Sequence, residues 1–286
     1  MATVKGNLIK DRRKQQKLTQ KELASGICKQ ATISNIESRN YCYSIEILSL
    51  ICSRLNLQIN DVIIQSEEVQ IRNKLNDVQK LCNVWKNDEA LKKIQTIDST
   101  RISDQGIMNQ LNYLKGITEL LVNNNFDASF FYFSQVISSS DEKDLFAILA
   151  NMGLGIAYEQ KKSYSFAETY YVAAITNVDN RASKELELNK VYFNAAKFYS
   201  EIKNYQKAID LCNKGIKINK QYQSTVLLDF LLYEVAYNTK ELNDPTYLTK
   251  YDRAYQISSF NENNHVKDTI KIDLKEEFKL LSSSHE

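Results

Sequence analysis

The sequence predicts an all-α protein in which an N-terminal helix-turn-helix domain is followed by a right-handed α-solenoid of helix hairpins. Only 7 Gly and 1 Pro occur among the 286 residues, so turn signals are few and long helices are favoured. A frame of small and aromatic residues also recurs in the second half of the chain, which is typical of stacked helical repeats.

Residues 18–39 predict the helix-turn-helix. Thr19 and Glu22 have the spacing of a capping box, in which each side chain satisfies a free backbone donor of the other residue. The short helix that they begin is followed by a turn at Gly26, where glycine relaxes the backbone constraint. A second helix starts near Lys29, and its outer face is polar with small side chains. This second helix is the one that would enter a DNA major groove.

The candidate DNA-binding residues lie on and around this second helix. The amides of Gln30 and Asn35 can each form two hydrogen bonds with adenine, and a methyl group at position 31 or 32 can contact thymine. Lys29 and Arg39 are suited to phosphate contacts. Gln20 is suited to a phosphate contact or to holding Gln30. A polar outer face is also what any solvated helix presents. The candidate set is Gln20, Lys29, Gln30, Ala31, Thr32, Ser34, Asn35 and Arg39.

The remaining signals divide the chain into domains. A first helix is predicted over residues 6–16, a polar loop over residues 38–43, and a further helix with Ser44 as its cap. Absence of Gly/Ser-rich sequence after this domain predicts a continuous helical connection to the repeats. The predicted ranges are 1–65 for the helix-turn-helix domain, 66–86 for the connecting helix, 87–265 for the repeats and 266–286 for a capping helix and tail.

The net charge of +2 conceals an asymmetry between these parts. Residues 1–64 carry 10 Lys and Arg against 5 Asp and Glu, whereas the remaining residues carry 27 against 30. A basic N-terminal domain on a slightly acidic body favours a polyanionic partner for the first part only.

The sequence offers little for catalysis or metal binding. Its five cysteines are scattered without a CxxC pair, which argues against a zinc site or a disulfide framework. Cys42, in the predicted loop, is the candidate for intermolecular oxidation. His265, in an Asn-rich loop, and His285 are both expected to be solvated. We therefore expect no enzyme activity, no metal and no cofactor. The absence of a long apolar segment predicts a cytoplasmic protein without membrane contact.

The repeat frame is clearest in two copies, which resemble the tetratricopeptide repeat. In that repeat, small residues let two helices approach closely while aromatic residues fill the space between them. The last predicted helix, over residues 266–281, has a stripe of apolar residues that would cover the exposed end of the solenoid. The first copy comprises Leu154, Gly155, Tyr158, Tyr164, Ala167, Tyr171 and Ala174. The second comprises Ala195, Ala196, Tyr199, Tyr205, Ala208, Cys212 and Gly215.

The N-terminal motif resembles the lambda-repressor-like (XRE/Cro) helix-turn-helix, through residues 18–20, 23–24 and 33–37. The segment Ile27-Cys28-Lys29-Gln30 is similar to that of PlcR/Rgg-like (RRNPP) peptide-responsive regulators. In such proteins an arginine of the first helix pairs with the glutamate that ends the recognition helix. The resemblance implies that Arg13 and Glu37 form this structural brace, which we expect to be partly exposed.

The first helix of each hairpin is expected to face the concave side of the solenoid. There Asn194 can bind both the C=O and the N–H of an extended peptide backbone. Phe193, Asn194 and Lys197 also match a Tyr/Phe-Asn-x-Ala-Lys segment of PlcR-like proteins, in which the asparagine contacts a signalling peptide. Lys190 and Lys197 can meet a peptide carboxylate, and Asn151 is a weaker candidate because it is two residues out of register. Apolar pockets are expected at Leu228, Leu231, Leu232 and Val235.

The resemblance implies a transcriptional regulator of quorum-sensing type that binds a palindromic operator as a homodimer and is controlled by a short, partly hydrophobic signalling peptide. Two alternatives remain open at this stage. The repeats can bind a protein partner instead of a peptide, or the chain can be a repeat scaffold that no longer binds DNA.

Overall fold

The computed structural model describes residues 2–64 and 66–278. The chain divides into two compact units, Met1–Asn73 and Lys74–Glu286, which we call the N-terminal unit and the repeat unit. Both units are almost entirely helical, and the predicted fold class is confirmed.

The N-terminal unit is a small bundle of short helices with a two-stranded ribbon. Strand β1 pairs antiparallel with β2, so that Ala2 lies opposite Cys42. The elements are β1 (Ala2–Thr3), α1 (Gly6–Gln15), α2 (Gln20–Ala24), α3 (Gln30–Arg39), β2 (Tyr41–Cys42), α4 (Ile45–Arg54), α5 (Ile59–Val62) and α6 (Glu67–Asn83), within which the division of the units falls.

Local capping sets the helix boundaries of the N-terminal unit as the sequence predicts. Thr19 Oγ1 accepts from the Glu22 backbone N–H at 3.2 Å, and Glu22 Oε2 accepts from the Thr19 backbone N–H at 2.6 Å. Ser44 Oγ accepts from the backbone N–H of Ile47. Gly26 adopts a φ of 72°, in the left-handed region that favours glycine.

The polar loop predicted over residues 38–43 is wrong. Helix α3 continues to Arg39, Asn40 ends it with a left-handed φ of 57°, and the chain then forms β2. The strand forms because the backbone carbonyl of Asn40 accepts from Val4 and Tyr41 pairs with Thr3. Cys42 is consequently buried, with its thiol directed at the Ser44 carbonyl, and it is not available for intermolecular oxidation.

The repeat unit consists of helices that pack in consecutive antiparallel pairs, α8 with α9, α10 with α11, α12 with α13 and α14 with α15. The first helices of the pairs also contact one another in sequence, from α8 through α10, α12 and α14 to α16. The helices are α7 (Asn87–Ile94), α8 (Gln105–Asn123), α9 (Phe126–Ser139), α10 (Leu145–Gln160), α11 (Tyr164–Asp179), α12 (Asn189–Glu201), α13 (Tyr205–Tyr222), α14 (Leu228–Glu241), α15 (Tyr247–Phe260) and α16 (Asn264–Leu274).

Glycines permit the close helix approaches on which this stacking depends. A Cβ atom on Gly155 of α10 would lie 2.9 Å from the ring of Tyr171 of α11. The ring of Phe133 in α9 is fully buried between Gly116 of α8 and Gly153 of α10. Small residues therefore serve the function that the repeat frame predicted for them.

Two predicted helices are shorter in the structure. The helix expected over residues 66–86 ends at Asn83, because Trp85 adopts a left-handed φ of 62° and the chain turns before α7. The helix expected over residues 266–281 begins earlier, at Asn264, and ends at Leu274. Phe278 nevertheless packs on Tyr255, with ring centroids 5.3 Å apart, whereas position 281 lies outside the described residues.

Across residues 2–64 and 66–278, we found no helix with the length and apolar character needed to cross a membrane.

The glycine contacts of Phe133 generate the first prediction. Gly153→Ala should lower the free energy of unfolding by about 1–3 kcal/mol, because the added methyl would lie 2.4 Å from Phe133 Cζ in a packed core. Urea unfolding followed by circular dichroism measures this change. Gly106→Ala, at the exposed start of α8, is the matched control and should change stability little. Equal losses of unfolding free energy in Gly153→Ala and Gly106→Ala would show that the contact with Phe133 is not the cause.

Candidate functional site

Helix α3 presents a polar outer face from the N-terminal unit. Ile33 and Ile36 hold the inner side of the helix in the core. Of the predicted DNA-binding residues on its outer side, Gln30, Ala31, Asn35 and Arg39 are exposed, whereas Thr32 and Ser34 are half-buried. Lys29 is exposed immediately before the helix. The structure therefore brings the predicted set onto one side of α3 and its ends.

A chain of hydrogen bonds connects this face to the interior of the N-terminal unit. Gln30 Nε2 donates to Gln20 Oε1 at 2.7 Å, and Gln20 Nε2 donates to Glu37 Oε2 at 2.9 Å. Glu37 in turn accepts from Arg13 Nε at 2.6 Å and from Arg13 Nη2 at 2.9 Å. Of the two roles considered for Gln20, the structure therefore shows the one that holds Gln30.

The Arg13–Glu37 pair is buried, and the expectation of a partly exposed pair is wrong. Arg13 is 8% exposed and Glu37 is 6% exposed, because α1 and α3 close over the two side chains. Burial alone would raise the pKa of Glu37, but hydrogen bonds from Arg13 and Gln20 and the charge of Arg13 outweigh it, so the pKa lies below its usual value. The brace is thus ionised and bidentate.

Two tyrosines that the sequence analysis did not select lie beyond the end of α3. Tyr43 Oη donates to Tyr41 Oη at 3.1 Å, and their rings meet edge to face with centroids 5.0 Å apart. The hydrogen bond from Tyr43 and then one with Arg39 lower the pKa of Tyr41. Because Tyr43 gives its proton to Tyr41, the Tyr41 hydroxyl and the Arg39 guanidinium are the donors here that suit phosphate oxygens. These tyrosines were missed because the sequence predicts a loop for residues 38–43, and a loop does not define how side chains are arranged.

In the repeat unit, the first helices of the pairs line a groove. It consists of two cavities with volumes of about 470 Å³ and about 1170 Å³. We treat them as one groove because they have six lining residues in common. These are Asn83, Trp85, Phe193, Lys197, Val226 and Leu227.

Aromatic side chains form the apolar part of this groove. Phe230 of α14 lies at the centre, with its ring centroid 5.9 Å from that of Trp85, 5.5 Å from that of Phe193 and 6.4 Å from that of His265. Phe193 was expected to be exposed but is 5% exposed, since it packs among these rings at the groove wall. His265 lies in the first turn of α16 and not in a loop.

The predicted polar residues of α12 lie on the same wall. Asn194 is half-buried, and its Nδ2 donates to the Lys190 backbone carbonyl at 2.8 Å. Among the described residues no group donates to Asn194 Oδ1, which leaves an acceptor for a ligand. Lys197 is exposed, with Nζ 5.7 Å from the centroid of the Phe193 ring. Lys190 is already occupied, because its ammonium donates to Asn83 Oδ1 and Glu187 Oε1.

The groove is also lined by carboxylates that the sequence analysis missed, and burial raises the pKa of two of them, Glu159 and Glu234. Glu159 of α10 accepts from Tyr171 Oη at 2.5 Å, and burial raises its pKa. Glu234 of α14 is 8% exposed, and burial raises its pKa to about 7, partly offset by the charge of Lys197. Neither residue belongs to a recognisable sequence motif, so only the folded chain reveals them.

Five residues predicted for peptide binding do not line the groove. Asn151 is buried and donates to the Ala147 carbonyl, because the stripe of α10 that faces the groove begins one residue later, at Met152. On α14 the groove face includes Phe230, Tyr233 and Glu234. The more apolar neighbouring stripe of α14 packs instead against other helices. That stripe consists of Leu228, Leu231, Leu232 and Val235.

Comparison with known proteins assigns the N-terminal unit. Residues 9–62 match the family model described as Helix-turn-helix. This unit is a helix-turn-helix domain. A comparison of the helix-turn-helix chain with curated protein sequences found no significant match.

Solved structures resemble the chain over almost its full length. Bacillus thuringiensis PlcR in complex with the peptide PapR7 and DNA has a TM-score of 0.63 at 19% identity, covering 93% of this chain and 98% of that chain. Apo ComR from Streptococcus vestibularis has a TM-score of 0.56 at 13% identity, covering 94% and 96%. ComR from S. thermophilus in complex with DNA and its signalling peptide ComS has a TM-score of 0.55 at 16% identity, covering 94% and 97%. The predicted resemblance is confirmed at the level of the fold.

The buried brace generates a stability prediction. Arg13→Met should destabilise the helix-turn-helix domain by about 3–5 kcal/mol, because it leaves the Glu37 carboxylate buried without its partner. Thermal and urea unfolding measure the loss, and the double variant Arg13→Met/Glu37→Leu should recover most of it. Arg12→Met, one residue earlier on the exposed side of α1, is the control. Equal losses of unfolding free energy in Arg13→Met and Arg12→Met would contradict a stabilising role for the buried ion pair.

Glu234 generates a prediction of pH dependence. Because its folded-state pKa of about 7 lies above the usual value of 4.5, the folded chain binds a proton more readily than the unfolded chain. Its contribution to stability is therefore present at low pH and is lost as the pH rises through about 7. Glu234→Gln should be more stable than the parent by about 2–3 kcal/mol at pH ~8 and by less than about 1 kcal/mol at pH ~5. The exposed Glu142→Gln is the control, and a pH-independent difference would contradict the prediction.

Proposed function

We propose that this protein is a sequence-specific DNA-binding transcriptional regulator whose activity is controlled by a short peptide bound in the groove of the repeat unit. The observation that carries the proposal is the presence, in one chain, of a helix-turn-helix domain with an exposed amide-bearing face and of a helical groove with aromatic and amide walls. The same two-part fold occurs in PlcR with PapR7 and DNA and in ComR with DNA and ComS, which supports the proposal.

In this proposal α3 enters the major groove of an operator. Gln30 and Asn35 contact base edges, whereas Lys29, Arg39 and the Tyr41 hydroxyl contact phosphates. One recognition helix contacts few bases, so a homodimer on a palindromic operator supplies the remaining affinity and specificity. A regulator that binds the chromosome works in the cytoplasm, and the expectation of no enzyme activity is part of the same proposal.

The peptide acts through a difference in affinity between two arrangements of the protein. A ligand can shift a conformational equilibrium only by the difference between its binding free energies for the two states. In the groove, Asn194 Oδ1 accepts a peptide N–H, Lys197 meets a carboxylate, and apolar side chains pack on Phe193 and Phe230. The proposed peptide is therefore short and partly hydrophobic.

The function as a whole is tested by electrophoretic mobility shift with the DNA upstream of the protein's own gene, with and without peptides from culture supernatant. We expect a shift whose midpoint changes when peptide is added. A shift that no peptide changes contradicts the peptide control and favours a protein partner for the repeats. If no DNA is shifted at any salt concentration, the chain is a scaffold and the proposal fails.

The assignment of base and phosphate contacts is tested by two neighbouring variants. Gln30→Ala should lose about 1–3 kcal/mol of binding to the operator while keeping its binding to random DNA, because the contact is to a base edge. Lys29→Ala should instead weaken both and lower the slope of log K against log salt by about one. Fluorescence anisotropy over a salt series measures both quantities. Equal losses of Gln30→Ala on operator and random DNA contradict its role at a base.

Peptide binding is tested with a built-in reporter. Trp85 is the chain's one tryptophan and lines both cavities of the groove, so intrinsic tryptophan fluorescence responds to an occupant. Asn194→Ala should weaken binding of peptides encoded beside the gene about tenfold, because a backbone hydrogen bond is lost.

Asn151→Ala is the matched control for this experiment. Asn151 has the same side chain, and its Nδ2 likewise donates to the carbonyl four residues earlier, but it lies away from the groove. It should leave peptide affinity unchanged. Equal effects of the two variants would show that Asn194 contributes only to helix stability.

A further inference from the structure

Glu234 is a buried carboxylate at the wall of the larger cavity that lacks a strong partner. It is 8% exposed and lies on the groove face of α14. Its Oε2 is 3.5 Å from Asn238 Nδ2, which is at the outer limit of a hydrogen bond. No salt bridge to Glu234 is present in the part of the chain that the structure describes. A buried carboxylate is costly to keep charged unless donors or an opposite charge compensate it.

The surroundings of Glu234 contain more acceptors than donors. Asn238 Nδ2 is committed to the Glu234 backbone carbonyl at 2.7 Å, and Asn238 Oδ1 is buried without a hydrogen-bond partner among the described residues. Two nearby hydroxyls point elsewhere, because both Tyr233 and Tyr251 donate to Asp273 Oδ2, at 2.8 and 3.1 Å. Residues 2–64 and 66–278 therefore offer no strong donor for this carboxylate.

The charges that act on Glu234 from neighbouring helices do not neutralise it. Lys197 of α12 is the positive group, but its ammonium lies over the Phe193 ring and it is exposed at the groove. Asp273 of α16 adds negative charge. The groove lining also has an excess of negative charge, since the ammonium groups of Lys190 and Lys197 face a larger set of carboxylates, namely Glu159, Glu187, Asp229, Glu234 and Glu262.

Glu159, another carboxylate in the groove whose pKa is raised by burial, differs from Glu234 in this respect. Its Oε2 accepts from Tyr171 Oη at 2.5 Å, so a strong donor is already supplied by α11. Glu234 is consequently the carboxylate that a ligand would complete, and Glu159 is its natural control.

We propose that the ligand of the groove carries a cationic group that binds Glu234, while its apolar side chains pack on Trp85, Phe193 and Phe230. An ammonium group has three donors and a guanidinium five, which suits the Glu234 carboxylate, because among the described residues it accepts only the long hydrogen bond from Asn238. This inference rests on the proposed peptide function and specifies the chemistry of the peptide. The cation is a Lys or Arg side chain or a free N-terminal ammonium.

The test uses the full-length protein and short synthetic peptides of Leu and Phe, measured by Trp85 fluorescence and by calorimetry. Each peptide contains one Lys, moved through every position, and is paired with a peptide that has norleucine at the same place. Each pair is made with a free and with an acetylated N-terminus, so that side-chain and terminal cations are distinguished. We expect the cationic member of at least one pair to bind about tenfold more tightly than its neutral counterpart.

Variants of the protein then test whether Glu234 is responsible for the preference for the cationic peptide. Glu234→Gln should reduce the preference for the cation to less than about twofold, whereas Glu159→Gln should retain it. Circular dichroism establishes that both variants are folded, and Lys197→Met, which removes the competing positive charge, should increase the preference. A preference that persists in Glu234→Gln overturns the assignment to this carboxylate.

The inference and the proposed function fail in different ways. Peptides that bind without any preference for the cation overturn the inference but leave the peptide-controlled function standing. If no peptide of any charge binds the parent protein, the inference fails together with the proposed peptide function.

Discussion

The groove exists because helices of the repeat unit come closer together than ordinary side chains would allow. Phe133 is enclosed between glycines of α8 and α10, and Gly155 lies against the ring of Tyr171. These contacts fix the spacing of successive first helices, which are the helices that form the groove wall. Because protein interiors are packed to crystal-like density, a methyl group added between two helices also displaces the helices that pack against them. The shape of the groove is therefore set by residues that do not line it.

Local signals in the sequence were sufficient for much of the helix-turn-helix domain. Thr19 and Glu22 begin α2 because a capping box depends on residues only three positions apart. Gly26 and Ser44 were identified for the same reason. In contrast, β2 was missed because it forms by pairing with residues at the chain's N-terminus, and no local pattern in residues 38–43 indicates that pairing.

The residues that line the groove can be predicted only in part from hydrophobic periodicity. Helix α14 has an apolar stripe that includes Leu231 and a second stripe that includes Phe230. Hydrophobic periodicity identifies both stripes but cannot tell which of them faces neighbouring helices and which faces an open groove. On α12, where Asn194 was chosen because it lies in register with a known motif, the predicted residues do line the groove. Trp85 falls within the connecting helix predicted over residues 66–86, and its position in the turn after α6 is evident only from the fold.

The hydrogen bond between Gln20 and Gln30 lowers the conformational cost that Gln30 pays when it meets a partner. A side chain that is already held by a neighbour loses little conformational freedom when it meets a partner, and each immobilised side chain otherwise costs about 0.5–1.5 kcal/mol. Gln30 is held in this way, and its support extends through Gln20 and Glu37 to Arg13 in the interior. The orientation of an amide at the surface is thus determined by a guanidinium in the core of the domain. A change deep in α1 would therefore alter how the Gln30 amide is held at the surface without altering any residue there.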